Sequence, residues 1–224
     1  MRSHGIPVPG FVLALMAIAF PAAAQRPQPA AGGVIVVPRA GWVFAVGPLG
    51  RVSEGAAFST EPAPPSAMRR ISLRSGPTIG TAALFDVPDL PILWRIDFDH
   101  APSLGLHMRG AERDMSATAT FATAGVVTRA HAGRFEPYAQ AGVGFRALTF
   151  QASEPGGPSL PDGRVDLLGR FGGGLAIRFG AIAVTAEAVA LTSSFRFSDA
   201  DGNVGDRTFH LDLATLLGMR IPVY

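Results

Sequence analysis

Two long stretches of the chain alternate between apolar and polar residues at every second position. They cover residues 136–150 (EPYAQAGVGFRALTF) and 164–180 (RVDLLGRFGGGLAIRFG). In the first stretch, one face carries Ala139, Ala141, Val143, Phe145 and Ala147, and the other carries Tyr138, Gln140, Gly142, Gly144 and Arg146. A period of two is that of a β-strand. Both stretches exceed the roughly 5–6 residues usual in soluble sheets, and this length favours strands that cross a lipid bilayer.

The start of the chain has the layout of an export signal. Arg2 supplies a positive charge, residues 11–20 (FVLALMAIAF) form a short apolar run, and three alanines at 22–24 form a small-residue cleavage site. We therefore predict a signal peptide over residues 1–24, a flexible leader over 25–32 and one β-barrel domain over 33–224. An N-terminal anchor helix is the alternative for the apolar run. The absence of Cys excludes disulfides and Cys-based metal sites.

The composition favours a membrane barrel over a helical membrane protein and over a nucleic-acid-binding protein. Hydrophobic residues make up 48% of the chain and charged residues only 16%, compared with about 25% charged in soluble domains. No stretch after residue 24 is apolar enough for a membrane helix, so strands with one apolar face are expected. The basic residues are all Arg and are scattered singly, and the net charge is +2. This pattern argues against a nucleic-acid partner.

The remainder of the chain divides into eight strand-like segments. The predicted strands cover residues 34–47, 71–85, 92–100, 115–129, 136–150, 164–180, 182–197 and 207–224. Long connections at 48–66, 101–114, 151–163 and 199–206 alternate with short ones. An even strand number with alternating connection lengths is the plan of an outer-membrane barrel, whose long loops lie outside the cell. The predicted fold is all-β: an eight-stranded antiparallel up-and-down transmembrane β-barrel.

Over about residues 33–224 the sequence resembles the small eight-stranded outer-membrane barrel family of Gram-negative bacteria, of the outer-membrane protein A and W types. Residues 137–145 (PYAQAGVGF) look like that family's PY-x-x-AG-x-G strand, and Tyr224 looks like its chain-terminal aromatic assembly signal. The apolar face of the last strand has the opposite parity to Tyr224, so we predict a bulge at Pro222 that resets the phase. The resemblance implies an outer-membrane location, with outer-membrane lipid and the barrel-assembly machinery as partners.

The polar face of these strands predicts what fills the barrel. The interior of an eight-stranded barrel is just wide enough for side chains. The predicted lumen charge network consists of Arg39, Arg95, Asp97, Arg146, Arg170, Arg178, Glu187 and Asp212. Asp99 and Arg220 lie on the polar faces of their strands, as the network residues do, and are placed either in the lumen or at the rim. Buried charges persist only when they are paired, and Glu187 is the predicted partner of Arg146 and Arg170.

The sequence predicts no catalytic, cofactor-binding or metal-binding residues. The best catalytic candidate is His210 with Asp212, to which Ser193 or Ser194 could supply a nucleophile. Residues 199–203 (DADGN) resemble the start of a calcium loop but lack its later Gly and Glu, so an acidic turn is predicted. The predicted function is a non-enzymatic outer-membrane barrel with a plugged lumen and a structural or loop-mediated binding role. The alternatives are a lipid-modifying enzyme on the same barrel and a soluble exported lipocalin-like barrel.

Overall fold

The structure, a computed structural model, describes residues 33–46, 48–53, 68–86, 92–108, 115–152, 163–195 and 208–223. Its strands are β1 (Val34–Val46), β2 (Pro48–Ser53), β3 (Met68–Leu73), β4 (Gly76–Asp86), β5 (Ile92–Met108), β6 (Met115–Arg129), β7 (Phe135–Ala152), β8 (Arg164–Phe179), β9 (Ile182–Phe195) and β10 (Thr208–Val223). A ring of antiparallel pairs runs from β4 through β10, and β1 pairs with both β10 and β4. The predicted eight-stranded antiparallel barrel is thereby confirmed, and closure leaves none of these eight strands with an unpaired edge.

Two segments predicted as loops contain strand. Residues 48–53 form β2, and residues 101–108 are the second half of β5. Both segments contain prolines and glycines, which the strands accommodate as irregularities. The register shifts between Pro48 and Gly50 in the β2–β3 pair, and between Ala101 and Leu104, around Pro102, in the β5–β6 pair. A bulge is where a strand tolerates the missing amide of proline.

The second predicted strand is two strands, β3 and β4, which continue along the same line. They are interrupted at residues 74–75, where the amide of Arg74 still donates to the carbonyl of Gly105 at 2.6 Å. The predicted bulge at Pro222 is wrong, since the β1–β10 register runs without a shift through the Ile35–Pro222 pair. The predicted signal peptide and leader, Tyr224 and residues 199–203 lie outside the described residues.

Two short turns define one end of the barrel, which we call the turn end; the opposite end is the loop end. Gly180 connects β8 to β9 with φ of 66°, and Gly133 lies between β6 and β7 with φ of 64°. Both are left-handed conformations that favour glycine and match tight hairpin connections. Within the described residues, there is no helix long and apolar enough to cross a bilayer.

Side chains along the barrel strands alternate between the outside and the interior. The outer surface is rich in exposed apolar side chains, including Trp42, Phe44, Trp94, Ile96, Phe98, Val143, Phe145, Leu167, Phe171, Val184, Leu213 and Leu217. The interior holds apolar side chains towards each end together with many charged ones. An apolar exterior around a charged interior is the reverse of a soluble barrel and is the arrangement of barrels that face lipid.

Candidate functional site

Three arginines and three carboxylates meet inside the barrel, and we call them the central cluster: Arg39, Arg95, Arg170, Asp97, Asp99 and Glu187. Two carboxylates of the cluster, those of Asp99 and Glu187, each accept several hydrogen bonds. Arg39 donates from Nε and Nη2 to the two carboxylate oxygens of Asp99, each at 2.7 Å. Arg170 donates from Nη1 to Asp99 Oδ2 at 2.8 Å. Asp99 therefore joins strands β1, β5 and β8 across the lumen, with the two-pronged geometry that makes guanidinium–carboxylate bonds strong.

Glu187 accepts hydrogen bonds from an arginine, a tyrosine and a glutamine. Arg95 Nη2 donates to its two oxygens at 3.0 and 2.9 Å, and Arg95 Nε donates to Asp97 Oδ1 at 2.8 Å. The hydroxyl of Tyr138 and the amide nitrogen of Gln140 donate to the same carboxylate at 2.9 and 3.2 Å. The charges are equal in number and paired by hydrogen bonds across the lumen, and such pairing is what makes buried charge tolerable. Arg39 Nη1 and Arg170 Nε and Nη2 make no hydrogen bond within the described residues.

A glycine makes room for the contact between Arg39 and Asp99. In the sheet register Gly80 on β4 lies opposite Arg39 on one side and opposite Asp99 on the other. A Cβ atom at Gly80 would collide with the Asp99 carboxylate and with the backbone of Phe98. The Asp99 side chain thus crosses β4 where that strand carries no side chain. The faces of this strand were not assigned from the sequence, so the role of Gly80 was missed.

A second set of ion pairs lies closer to the loop end, and we call it the upper cluster: Arg146, Arg164, Asp166, His210 and Asp212. Arg146 donates to Asp212 Oδ2 at 3.1 Å and to Asp166 Oδ2 at 3.4 Å. Arg164 Nε donates to Asp166 Oδ1 at 2.8 Å, and His210 Nε2 lies 2.7 Å from Asp212 Oδ1. Two arginines are therefore matched by two aspartates.

A third set surrounds a single buried glutamate at the turn end, and we call it the turn-end cluster: Asp86, Arg129, His131, Glu136, Arg178 and Arg220. Arg178 Nη2 donates to Glu136 Oε2 at 2.5 Å, and Arg220 Nη1 donates to Glu136 Oε1. His131 Nδ1 lies 3.3 Å from Glu136 Oε2, and Arg129 Nη1 lies 3.9 Å from Glu136 Oε1. Glu136 therefore ties the ends of β6, β7, β8 and β10 together.

The structure buries seven of the eight residues in the predicted lumen network: Arg39, Arg95, Asp97, Arg146, Arg170, Glu187 and Asp212. Arg178 lies at the turn end with its side chain 38% exposed. Asp99 and Arg220, for which a rim position was the alternative, are buried as well.

The predicted pairing of these residues is wrong in one case. Arg146 contacts Asp166 and Asp212 instead of Glu187. Arg170 Nη2 lies 3.7 Å from Glu187, whereas Arg170 Nη1 lies 2.8 Å from Asp99.

Several buried residues that bond to these charges were missed as members of the network, among them Glu136, Tyr138, Gln140 and Asp166. A signal was available in each case. Each shares the parity of the inward face of its strand, so the period of two places it inside once the face is assigned.

The catalytic candidate from the sequence is partly assembled. Ser193 on β9 is the register partner of His210 on β10, and His210 contacts Asp212. Ser194 faces outward. Within the described residues the Ser193 hydroxyl has no hydrogen-bond partner, and Ser193, His210 and Asp212 are at most 3% exposed. A serine nucleophile needs a hydrogen bond to its base and access for the substrate, and this arrangement shows neither.

Comparisons with known proteins find similarity only at the level of solved structures. No family model matches the chain, and no curated protein sequence matches it. Neisserial surface protein A is 11% identical and covers 87% of this chain and 99% of its own, with a TM-score of 0.47. The N-terminal β-barrel domain of Pseudomonas aeruginosa OprF is 10% identical, covers 85% of this chain and 99% of its own, and has a TM-score of 0.40. The translocator domain of the autotransporter NalP from Neisseria meningitidis is 11% identical, covers 95% of this chain and 93% of its own, and has a TM-score of 0.33. The chain's own strand pairing defines the eight-stranded barrel.

Proposed function

We propose that the protein is a non-enzymatic outer-membrane β-barrel whose lumen is plugged by side chains and whose long connections carry a structural or binding role. The observation that carries this proposal is the central cluster, in which six charged side chains are buried and bonded to one another across the lumen. Side chains held in this way leave no continuous path for water through an eight-stranded barrel. The barrel then serves as an anchor.

The apolar outer surface supports a location in lipid. Trp42, Phe98, Phe145 and Leu217 are each more than two-fifths exposed on the outside, which in water would be an unusually large apolar surface. In lipid every backbone polar group must be paired, and the closed strand ring meets that requirement. The charged interior argues against a soluble lipocalin-like barrel, whose ligand cavity would be apolar. Outer-membrane lipid and the barrel-assembly machinery are the partners that this location implies.

Purified protein in planar lipid bilayers tests the plugged lumen. We expect no stable conductance from the unmodified protein, because the central cluster fills the cross-section. The double variant Arg39→Ala, Asp99→Ala removes one positive and one negative side chain from that cluster, and we expect it to conduct measurably. A large, stable conductance of the unmodified protein would contradict the proposal and would indicate a transport role.

Labelling of whole cells tests the orientation of the barrel. The connection at residues 151–163 is proposed to lie outside the cell and the turn between β6 and β7 to lie in the periplasm. A Cys introduced at Ser159 should react with a membrane-impermeant thiol reagent, and one at Ala132 should not. Since the chain has no Cys of its own, no other position of this protein reacts with the reagent. Labelling at Ala132 but not at Ser159 would show the opposite orientation.

A further inference from the structure

The three interior clusters differ in their balance of charge. The central cluster contains three arginines and three carboxylates, and the upper cluster contains two arginines and two aspartates. The turn-end cluster contains three arginines but only two carboxylates, those of Asp86 and Glu136. Among the residues that the structure describes, one positive charge at the turn end therefore has no carboxylate to match it.

Two of the turn-end arginines, Arg220 and Arg129, make fewer or longer hydrogen bonds than their N–H groups allow. The Arg220 side chain is 7% exposed, and its guanidinium carbon lies 4.6 Å from the centroid of the Tyr138 ring. Its Nη1 donates to Glu136, whereas its Nη2 has no hydrogen-bond partner in the described part of the chain. Arg129 lies 3.4 Å from Asp86 and 3.9 Å from Glu136, longer than the ~2.7–2.9 Å of a charge-assisted hydrogen bond.

The turn-end cluster is also accessible from outside the barrel. The side chains of Arg178 and Asp86 are 38% and 28% exposed, and that of Arg129 is 17% exposed. The central cluster, by contrast, is buried throughout. A small charged group can therefore reach Arg129 and Arg178 from the solvent at this end without displacing any strand.

We propose that the turn end of the barrel binds an oxyanion, a carboxylate or a phosphate group, through Arg129 and Arg178, with the charge of the buried Arg220 adding to the attraction. Guanidinium groups present planar, two-pronged donors that match the oxygens of both anions. The bound anion neutralises the surplus positive charge and accepts hydrogen bonds from the accessible guanidinium groups of Arg129 and Arg178. This site is independent of whether the lumen conducts, since it lies at one end of the barrel.

Titration of the full-length protein in nonionic detergent with inorganic phosphate, and separately with acetate, tests the site by calorimetry. We expect saturable binding that Arg129→Gln weakens by roughly tenfold or more, because one charge-assisted hydrogen bond is lost. Arg134→Gln is the matched control, since Arg134 is exposed in the same turn region and the change in charge is identical. Equal weakening in both variants would show only a general attraction of anions and would overturn the proposal.

Mixed micelles that contain a phosphate-bearing lipid distinguish the two sources of the anion. Saturation by inorganic phosphate identifies a free anion as the ligand, and saturation by the lipid alone identifies a headgroup. Either result supports an oxyanion site at the turn end. The absence of saturable binding to phosphate, acetate and the lipid overturns it.

His131 provides a second readout in the unmodified protein. Burial lowers the pKa of His131 below its ordinary value, Arg178, Arg129 and Arg220 lower it further, and Glu136 opposes them. An anion bound among these arginines favours the protonated imidazole, so the pKa of His131 should rise when the site fills. Titration of the ring protons by NMR, with and without saturating phosphate or lipid, measures this change. An unchanged pKa at saturation would place the anion elsewhere.

Discussion

Glu187→Ala should lower the free energy of unfolding by roughly 3–5 kcal/mol, because removing one partner of a buried ion pair leaves the other charge uncompensated. Glu187 accepts hydrogen bonds from Arg95, Tyr138 and Gln140 and lies 3.7 Å or less from Arg39 and Arg170. Without it, three arginines of the central cluster share two aspartates. Urea unfolding in detergent micelles, followed by tryptophan fluorescence, measures the loss.

Two further variants separate the loss of charge from other effects at this position. Ala188→Val changes the adjacent, outward-facing residue and should leave the unfolding midpoint nearly unchanged. The double variant Arg95→Ala, Glu187→Ala restores equal numbers of charges, so it should be less destabilised than the sum of the two single variants. Additive losses, or a Glu187→Ala variant as stable as the unmodified protein, would mean that the central cluster is not coupled.

The period of two in the sequence was enough to predict the barrel and most of the faces. In β7 and β8 the alternation is long and regular, so both the strand and its lipid-facing side follow directly from it. Prediction failed where prolines interrupt strands: Pro48 and Pro102 were interpreted as loop residues, yet each lies beside a shift in register. A local break in hydrogen bonding and a true loop have the same sequence signal.

The pairing of the interior charges could not be predicted, because parity fixes which face a side chain occupies but not its height in the barrel. That height depends on the stagger between strands. The observed register places Arg146 opposite Asp166, and it places Leu191 opposite both Arg170 and Asp212. Glu187 therefore lies below Arg146, towards the turn end, although the two residues share the interior.

The sequence also did not predict contacts between side chains on strands that are separated by a third strand. Tyr138 on β7 lies opposite Gly174 on β8, and Gly174 lies opposite Glu187 on β9. A Cβ atom at Gly174 would lie 2.6 Å from the Tyr138 hydroxyl. The glycine therefore lets the tyrosine reach over β8 to the glutamate. The alternation places Gly174 on the inward face, but it does not show which side chain occupies the space above it.

Leu217→Arg should reduce stability in a phospholipid bilayer far more than Val223→Arg does. Leu217 faces outward near the middle of β10 and is 66% exposed. An arginine on the lipid face at the bilayer midplane costs roughly 2–4 kcal/mol, falling to about 0–1 kcal/mol near the interfaces. Val223→Arg, at the turn end of the same strand, is the matched control. Urea unfolding of each variant in phospholipid vesicles measures the cost, and equal losses at both positions would show that Leu217 does not lie in the hydrocarbon core of the bilayer.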